Sequence, residues 1–227
     1  MLLNATTARL FAKLVGVFLT KSEGILIIGA SKLSRLIGNY LKKNNRHVVL
    51  IDNNQNNVEK AKKLGLEAIT ANIFSDTLTD NIELNDMGYL MALTGNSDIN
   101  KFAISKFQKQ FGENGAFRLV NTEEVNDPEN NPKEGLFSHT DDFIQLMDTV
   151  RKHPTIHEIE LEDKEHYDKL IDATYKERDI VPLFTKSPNG SIEIIPANSK
   201  DFTPKGEGYK LVYLGKILES DEKIVDE

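Results

Sequence analysis

The sequence predicts an α/β protein, a doubly wound parallel sheet followed by a small α+β subdomain, and three observations carry that prediction. Short apolar runs alternate with amphipathic helical segments from Lys21 to Val120, the pattern of repeated βαβ units. The first run opens into a helix through a glycine and two serines, and the second run closes on an aspartate. Past an acidic, Asn- and Pro-containing stretch at 121–135 the chain becomes strand-rich, with Asn189-Gly190 set between apolar runs as a hairpin signal.

Residues 1–20 are apolar but interrupted by Arg9 and Lys13, so no run reaches the ~18–20 residues that span a bilayer. Those charges fall inside the apolar stretch and Lys21 follows it, which is not the order of a cleavable secretory signal. Leu10, Phe11, Leu14, Val15, Phe18 and Leu19 recur at helical spacing. They predict a basic amphipathic helix that lies on a membrane, continues from a membrane helix, or packs on the domain that follows.

Five strands are expected next: Ile25–Ile28, His47–Ile51, Leu66–Ala71, Tyr89–Leu93 and Phe117–Val120. Each is too short for a buried helix. Between the first two, Leu33, Leu36, Ile37, Tyr40 and Leu41 form one helical face. Val58, Ala61 and Leu64 repeat it, and Gly65 ends the second helix. After the 121–135 boundary, Thr140 is expected to cap a helix with Phe143, Leu146, Met147 and Val150 on one face. A strand (Ile156, Ile159, Leu161), a helix (Tyr167, Leu170, Ile171, Tyr175) and three strands at 180–184, 192–196 and 208–215 complete the chain. The organisation expected is a helix at 1–20, a doubly wound α/β domain at 21–135, a linking helix at 136–154 and an α+β subdomain at 155–227.

Composition narrows the chemistry. The 227 residues include no cysteine, which removes disulfides, zinc ribbons and thiol nucleophiles. The net charge of -7 argues against a nucleic-acid binder, which needs a basic surface to displace counterions. The charge is uneven, about +7 over the first fifty residues and about -14 over the rest, so one end is suited to an anionic surface or phosphate.

The first strand-to-helix turn reads Gly29-Ala30-Ser31-Lys32-Leu33-Ser34. In a G-x-G-x-x-G dinucleotide fingerprint the first glycine makes the turn, the second admits pyrophosphate and the third lets the helix pack on the strand. Here Gly29 holds the first place, Ser31 and Ser34 the others, and the helix N-terminus remains an anion site. Asp52 closes the second strand 23 residues after Gly29, where an acid reads a ribose diol and repels the extra phosphate of NADP. The same aspartate is equally suited to capping the Asn53-Asn54 turn.

With strand, glycine turn, helix, strand and terminal acid in order, the chain over roughly 21–120 resembles the RCK or TrkA-N type of Rossmann-like domain, which regulates potassium channels, potassium uptake systems and cation/proton antiporters. Three further stations carry the resemblance. Ala71-Asn72-Ile73-Phe74-Ser75 stands where the family has Gly-Asp-Ala-Thr/Ser, Thr94 to Asn100 is similar to its Thr-x-x-(Asp)-Asp/Glu-x-Asn helix start, and Arg118 lies on the fifth strand as the family's arginine does. The segment Leu3 to Arg9, leading through an apolar helix, looks like the tail junction of sodium/proton antiporters, and the end of the chain more loosely resembles the small C-terminal RCK subdomain.

The resemblance implies a non-enzymatic, nucleotide-sensing module at the cytoplasmic face of the cell membrane. Its partners would be a membrane ion-transport domain or subunit and further copies of itself, a dimer by default. The implied ligand is NAD or NADH, with Gly29, Ala30, Ser31 and Ser34 at the pyrophosphate, Asp52 and Asn53 at the ribose, Asn72 on the adenine side and Thr94 in the crevice. Two alternatives stand beside it: a scaffold whose site has degenerated, and a nicotinamide-dependent oxidoreductase. The second lacks a Tyr-x-x-x-Lys pair, and no Gly-x-Ser-x-Gly elbow is present either. His153 and His157 have the spacing of helical zinc ligands but Pro154 interrupts them, and the acidic run Glu158 to Glu165 reads as an exposed strand face, so no metal is assigned.

Overall fold

The structure is a computed structural model that describes residues 22–75, 86–112, 114–127, 132–137, 141–177, 179–197, 203 and 207–218. The helix expected at 1–20 and the cap expected at Thr140 lie outside them.

Strand β1 (Gly24–Ile28) is buried along its whole length, as a strand covered on both faces must be. Helix α1 (Lys32–Lys43) follows, placing Leu33, Ile37 and Leu41 inward, and then β2 (Val48–Asp52), α2 (Gln55–Lys63) and β3 (Glu67–Thr70). Gly65 takes φ +74° just past α2, the left-handed turn that glycine adopts without a Cβ clash. The run continues through β4 (Met87–Ala92), α3 (Ser97–Phe111), β5 (Gly115–Leu119), the short α4 (Thr122–Val125) and β6 (Gly135–Leu136).

These six strands form one parallel sheet in the order β3-β2-β1-β4-β5-β6. The order reverses direction between β1 and β4, and ligands of open α/β sheets bind at that switch point, outside the strand C-termini.

The sixth strand departs from the five-strand expectation. Gly135 and Leu136 pair with Arg118 and Leu119 at the sheet edge, so the sheet takes in the end of the stretch read as a boundary loop. Two residues are too few to show an apolar run.

Helix α5 (Phe143–Lys152) is capped by Asp142, whose carboxylate accepts from the N–H groups of Ile144 and Gln145 at 2.9 and 3.1 Å. After it come β7 (Ile156–Leu161), α6 (Lys164–Lys176), β8 (Ile180–Lys186), β9 (Ile192–Ile194) and β10 (Tyr209–Gly215). The four strands make an antiparallel sheet, β7-β10-β8-β9, and Asn189-Gly190 makes the β8–β9 turn with Gly190 at φ +85°.

Both faces of the second sheet are covered. Val212 and Leu214 of β10 join the core that holds Leu33, Ile37 and Leu41 of α1 and Leu146 and Val150 of α5, while Leu211 and Tyr213 pack with Tyr167 and Ile171 of α6. This is the period-2 alternation of a strand. One apolar core therefore runs from the first sheet through α5 into the second.

A polar cluster reinforces the junction. Glu158 of β7 accepts from Tyr40 of α1 (2.9 Å), Lys186 of β8 (2.8 Å) and Lys210 of β10 (3.0 Å). Partial burial alone pushes the Glu158 carboxyl up, but the hydrogen bonds from Lys186, Lys210 and Tyr40 outweigh it and hold the group down, from an ordinary 4.5 to about 2. A depressed carboxyl contributes its stability fully above its unfolded value and loses it as pH falls through the folded one. The stability difference between the parent chain and Glu158→Gln is therefore expected to be full above pH 4.5 and to vanish toward pH 2, measured by urea unfolding across that window. A difference that does not change with pH would contradict this.

Candidate functional site

Four strand ends, from β1, β2, β3 and β4, enclose a cleft of about 220 Å³. Ile28, Ile51 and Ile73 give it an apolar floor, and Gly29, Ser31, Asp52, Asn53, Asn72 and Thr94 line it. Six of the eight residues expected at a nucleotide thus meet in one cavity at the switch point.

Gly29 has φ +97°, and its N–H donates to the Ile51 carbonyl at 2.7 Å, so the turn is pinned to β2. A Cβ here would stand 3.0 Å from the Thr94 methyl and 3.2 Å from the Leu93 carbonyl oxygen. Gly29→Ala is expected to cost about 1–3 kcal/mol for the backbone strain alone, read as a lowered urea midpoint.

The Asp52 carboxylate accepts from the Ala30 N–H (2.7 Å), the Asn54 N–H (2.8 Å) and, more weakly, the Asn57 side-chain amide (3.3 Å). Both roles foreseen for Asp52 are compatible with this geometry: it braces the turn after β2, and a carboxylate with about four acceptor sites keeps capacity for a diol. Arg35, one turn into α1, donates to the Ala30 carbonyl. Burial lowers the pKa of its guanidinium while the Asp52 charge raises it, with burial the larger influence.

The other two expected residues, Ala30 and Ser34, do not line the cleft. The Ala30 N–H is committed to Asp52, and the Ala30 side chain is buried, so this residue faces the turn rather than the cavity. Ser34 is wholly buried, its N–H donating to the Ser31 hydroxyl at 3.2 Å and its hydroxyl paired with the same oxygen at 3.0 Å. Its place in the fingerprint is the one where helix packs on strand, which explains its burial. Ser31 is the N-cap of α1 and lines the cleft.

Asn72 folds its carbonyl oxygen back onto the Phe74 N–H (3.0 Å), leaving its amide NH2 as a donor at the cleft wall. Thr94 is held by Asn100, which accepts from its N–H (3.1 Å) and hydroxyl (2.7 Å) and donates to its carbonyl (2.9 Å). Thr94 therefore shapes the crevice more than it offers a free hydroxyl.

Sequence reasoning did not place Asn57, Phe74, Gly95 or Phe143 at the site. Phe74 is 54% exposed at the rim and packs on Phe102 with ring centroids 4.6 Å apart. Phe143 comes from α5 and lies against Gly95, where a Cβ would stand only 2.8 Å from its ring. A smaller cavity of about 100 Å³ lies beyond that ring, lined by Ser97, Asn100, Asn121, Thr122 and Asp142, and it shares Thr94, Gly95 and Phe143 with the main cleft.

No histidine, tyrosine or lysine stands among the described lining residues of either cavity. Among the described residues, no group of three or more His, Asp and Glu side chains is placed to hold a metal ion. His157 bonds the Gly215 carbonyl at 3.1 Å, Asp163 caps α6, and Glu165 pairs with Lys169 at 3.1 Å.

A parallel sheet with an apolar cleft at its switch point, a left-handed glycine turn and an acid at the end of the second strand defines a Rossmann-like domain of the nucleotide-binding type. More particularly, residues 25–131 match the family described as the TrkA-N domain. No curated protein matches the sequence. Among solved structures, the NAD(P)-binding domain of an exopolyphosphatase-related protein from Archaeoglobus fulgidus is 13% identical, covering 57% of this chain and 98% of that one with a TM-score of 0.43. The GsuK RCK domain is 12% identical over 93% of this chain and 48% of its own, with a TM-score of 0.44. The GsuK channel is 14% identical over 93% of this chain and 39% of its own, also at 0.44. The chain thus spans less than half the length of either GsuK protein.

Proposed function

We propose that the chain is a nucleotide-sensing regulatory module of an ion-transport system, a cation/proton antiporter or a potassium transporter, and that NAD or NADH is its ligand. The observation that carries the reading is the meeting of Gly29, Asp52 and Asn72 around one apolar cleft, within the stretch that matches the TrkA-N family. The cleft fits the adenosine half of such a ligand: an acid acceptor suits a ribose diol, an amide donor suits an adenine, and the α1 N-terminus suits a phosphate. When bound, NAD or NADH would supply a conformational bias, not a reaction. The described lining holds no histidine, tyrosine or lysine to exchange a proton in hydride chemistry, which weighs against the oxidoreductase alternative.

Regulation requires a ligand with different affinities for two states of the protein. Phe143 provides a route to that difference, because it belongs both to the cleft wall and to α5, the helix packed between α1 and the second sheet. The basic charge of the first fifty residues suits contact with the cytoplasmic face of a membrane, where the transport domain would sit and where copies of this module would assemble as a dimer or larger ring. The scaffold alternative draws on the Ser31–Ser34 pairing and the Ala30–Asp52 bond, which spend donors a pyrophosphate would use.

Ion flux measured in membrane vesicles from cells with and without the chain tests the proposal. Flux should respond to NAD or NADH only when the chain is present. Flux that ignores the chain would overturn it.

A further inference from the structure

The two cavities at the switch point are divided by a wall of three residues, Thr94, Gly95 and Phe143, each of which lines both. Thr94 is fixed by its three hydrogen bonds to Asn100, and Gly95 is backbone in the same turn. The Phe143 ring is the part of the wall that no hydrogen bond holds. It is only partly buried and begins α5, whose cap Asp142 is tied to the Thr122 hydroxyl at 2.7 Å.

Resting on the nucleotide reading above, we infer that Phe143 discriminates ligands by length. The larger cavity takes an adenine mononucleotide such as AMP with the ring in place. A dinucleotide must extend past Gly95 into the smaller cavity, among Ser97, Asn121 and Asp142, and its second half enters only when the ring leaves the glycine. Phe143 is thus a specificity-determining residue. Displacing it disturbs the start of α5, so a dinucleotide acts on the linking helix while AMP occupies the cleft silently and competes.

The test is isothermal titration of the full chain with AMP and with NAD, in the parent and in Phe143→Ala and Phe143→Leu, with each variant's fold checked by circular dichroism. In the parent, NAD should bind no more tightly than AMP although it contains AMP, and the two should compete. Loss of a half-buried ring that the dinucleotide has to displace should strengthen NAD binding relative to AMP about tenfold in Phe143→Ala, with a smaller gain in the same ratio in Phe143→Leu. Parent affinity for NAD far above that for AMP, or variants that shift both ligands equally, would overturn the inference and leave the nucleotide reading standing. Binding of neither ligand to the parent would overturn both. Should Phe143→Ala not fold, the parent ratio and Phe143→Leu still decide.

Discussion

Glu124→Ala is expected to cost about 3–5 kcal/mol of folding stability, the penalty for removing one partner of a buried ion pair. Arg118 on β5 is only 4% exposed, and its guanidinium makes a two-point bond to the Glu124 carboxylate at 2.7 and 2.9 Å, with Glu134 a weaker partner at 3.4 Å. Glu124 also accepts from the Asn121 N–H at 2.9 Å while Asn121 accepts from the Glu124 N–H at 2.9 Å, a capping box that starts α4. Removing the carboxylate breaks both arrangements and leaves the arginine only its long contacts, at 3.4 Å, to Glu134 and the Leu119 carbonyl. Against a total stability of order 5–15 kcal/mol, the urea midpoint should fall sharply. Arg118→Met combined with Glu124→Leu should cost much less, because replacing both partners of a buried pair removes the poorly paired charge. A loss under about 1 kcal/mol for Glu124→Ala would mean that Arg118 finds solvent or another partner. The fifth-strand arginine that contributed to the family resemblance is, in this chain, an internal brace for the edge of the sheet.

Asp52→Ala is expected to weaken NAD binding by tenfold or more. A hydrogen bond to a charged group is worth about 1.5–3 kcal/mol, and 1.4 kcal/mol is a factor of ten in affinity. The substitution acts twice, since it also frees the Ala30 and Asn54 N–H groups that Asp52 now holds. Asp52→Asn separates the effects. It keeps one carbonyl acceptor for the turn but loses the charge, so it should recover much of the stability lost in the alanine variant and little of the affinity. Calorimetric titration of both variants beside parallel urea curves reads the two effects apart. An unchanged dissociation constant in Asp52→Ala would remove Asp52 from the site.

The strands were legible because both-face burial writes a strand as a short continuous apolar run: Ile25–Ile28 lies inside β1, and the His47–Ile51 run lies in β2 except for His47. Gly29, Asp52, Asn72 and Thr94 were legible for a topological reason, since each follows or ends a parallel strand and parallel strand ends share one edge. What was not legible came from outside that pattern. Phe143 reaches the cleft from a helix almost fifty residues past Thr94, and its periodicity reports only an apolar face. Arg35 is one more cation on an amphipathic helix until its guanidinium is seen against Ala30. Ser34 carries a hydroxyl that suits phosphate or burial equally, and only packing assigns it to burial. Strand β6 is held by its pairing with β5 rather than by a pattern of its own.

Thermal unfolding of the whole chain in millimolar NAD, NADH, NADPH, ATP and ADP, with Asp52→Asn in parallel, is the most direct test of a nucleotide at the switch point. A ligand present at 100 times its dissociation constant adds about 2.7 kcal/mol to the folded state, a readily measured rise in midpoint. NAD or NADH should raise the midpoint of the parent chain and not that of Asp52→Asn, and NADPH should do less because Asp52 repels its additional phosphate. A midpoint that no nucleotide moves would contradict the sensor and leave the domain as a scaffold, its first-turn donors spent on Ser31 and Asp52.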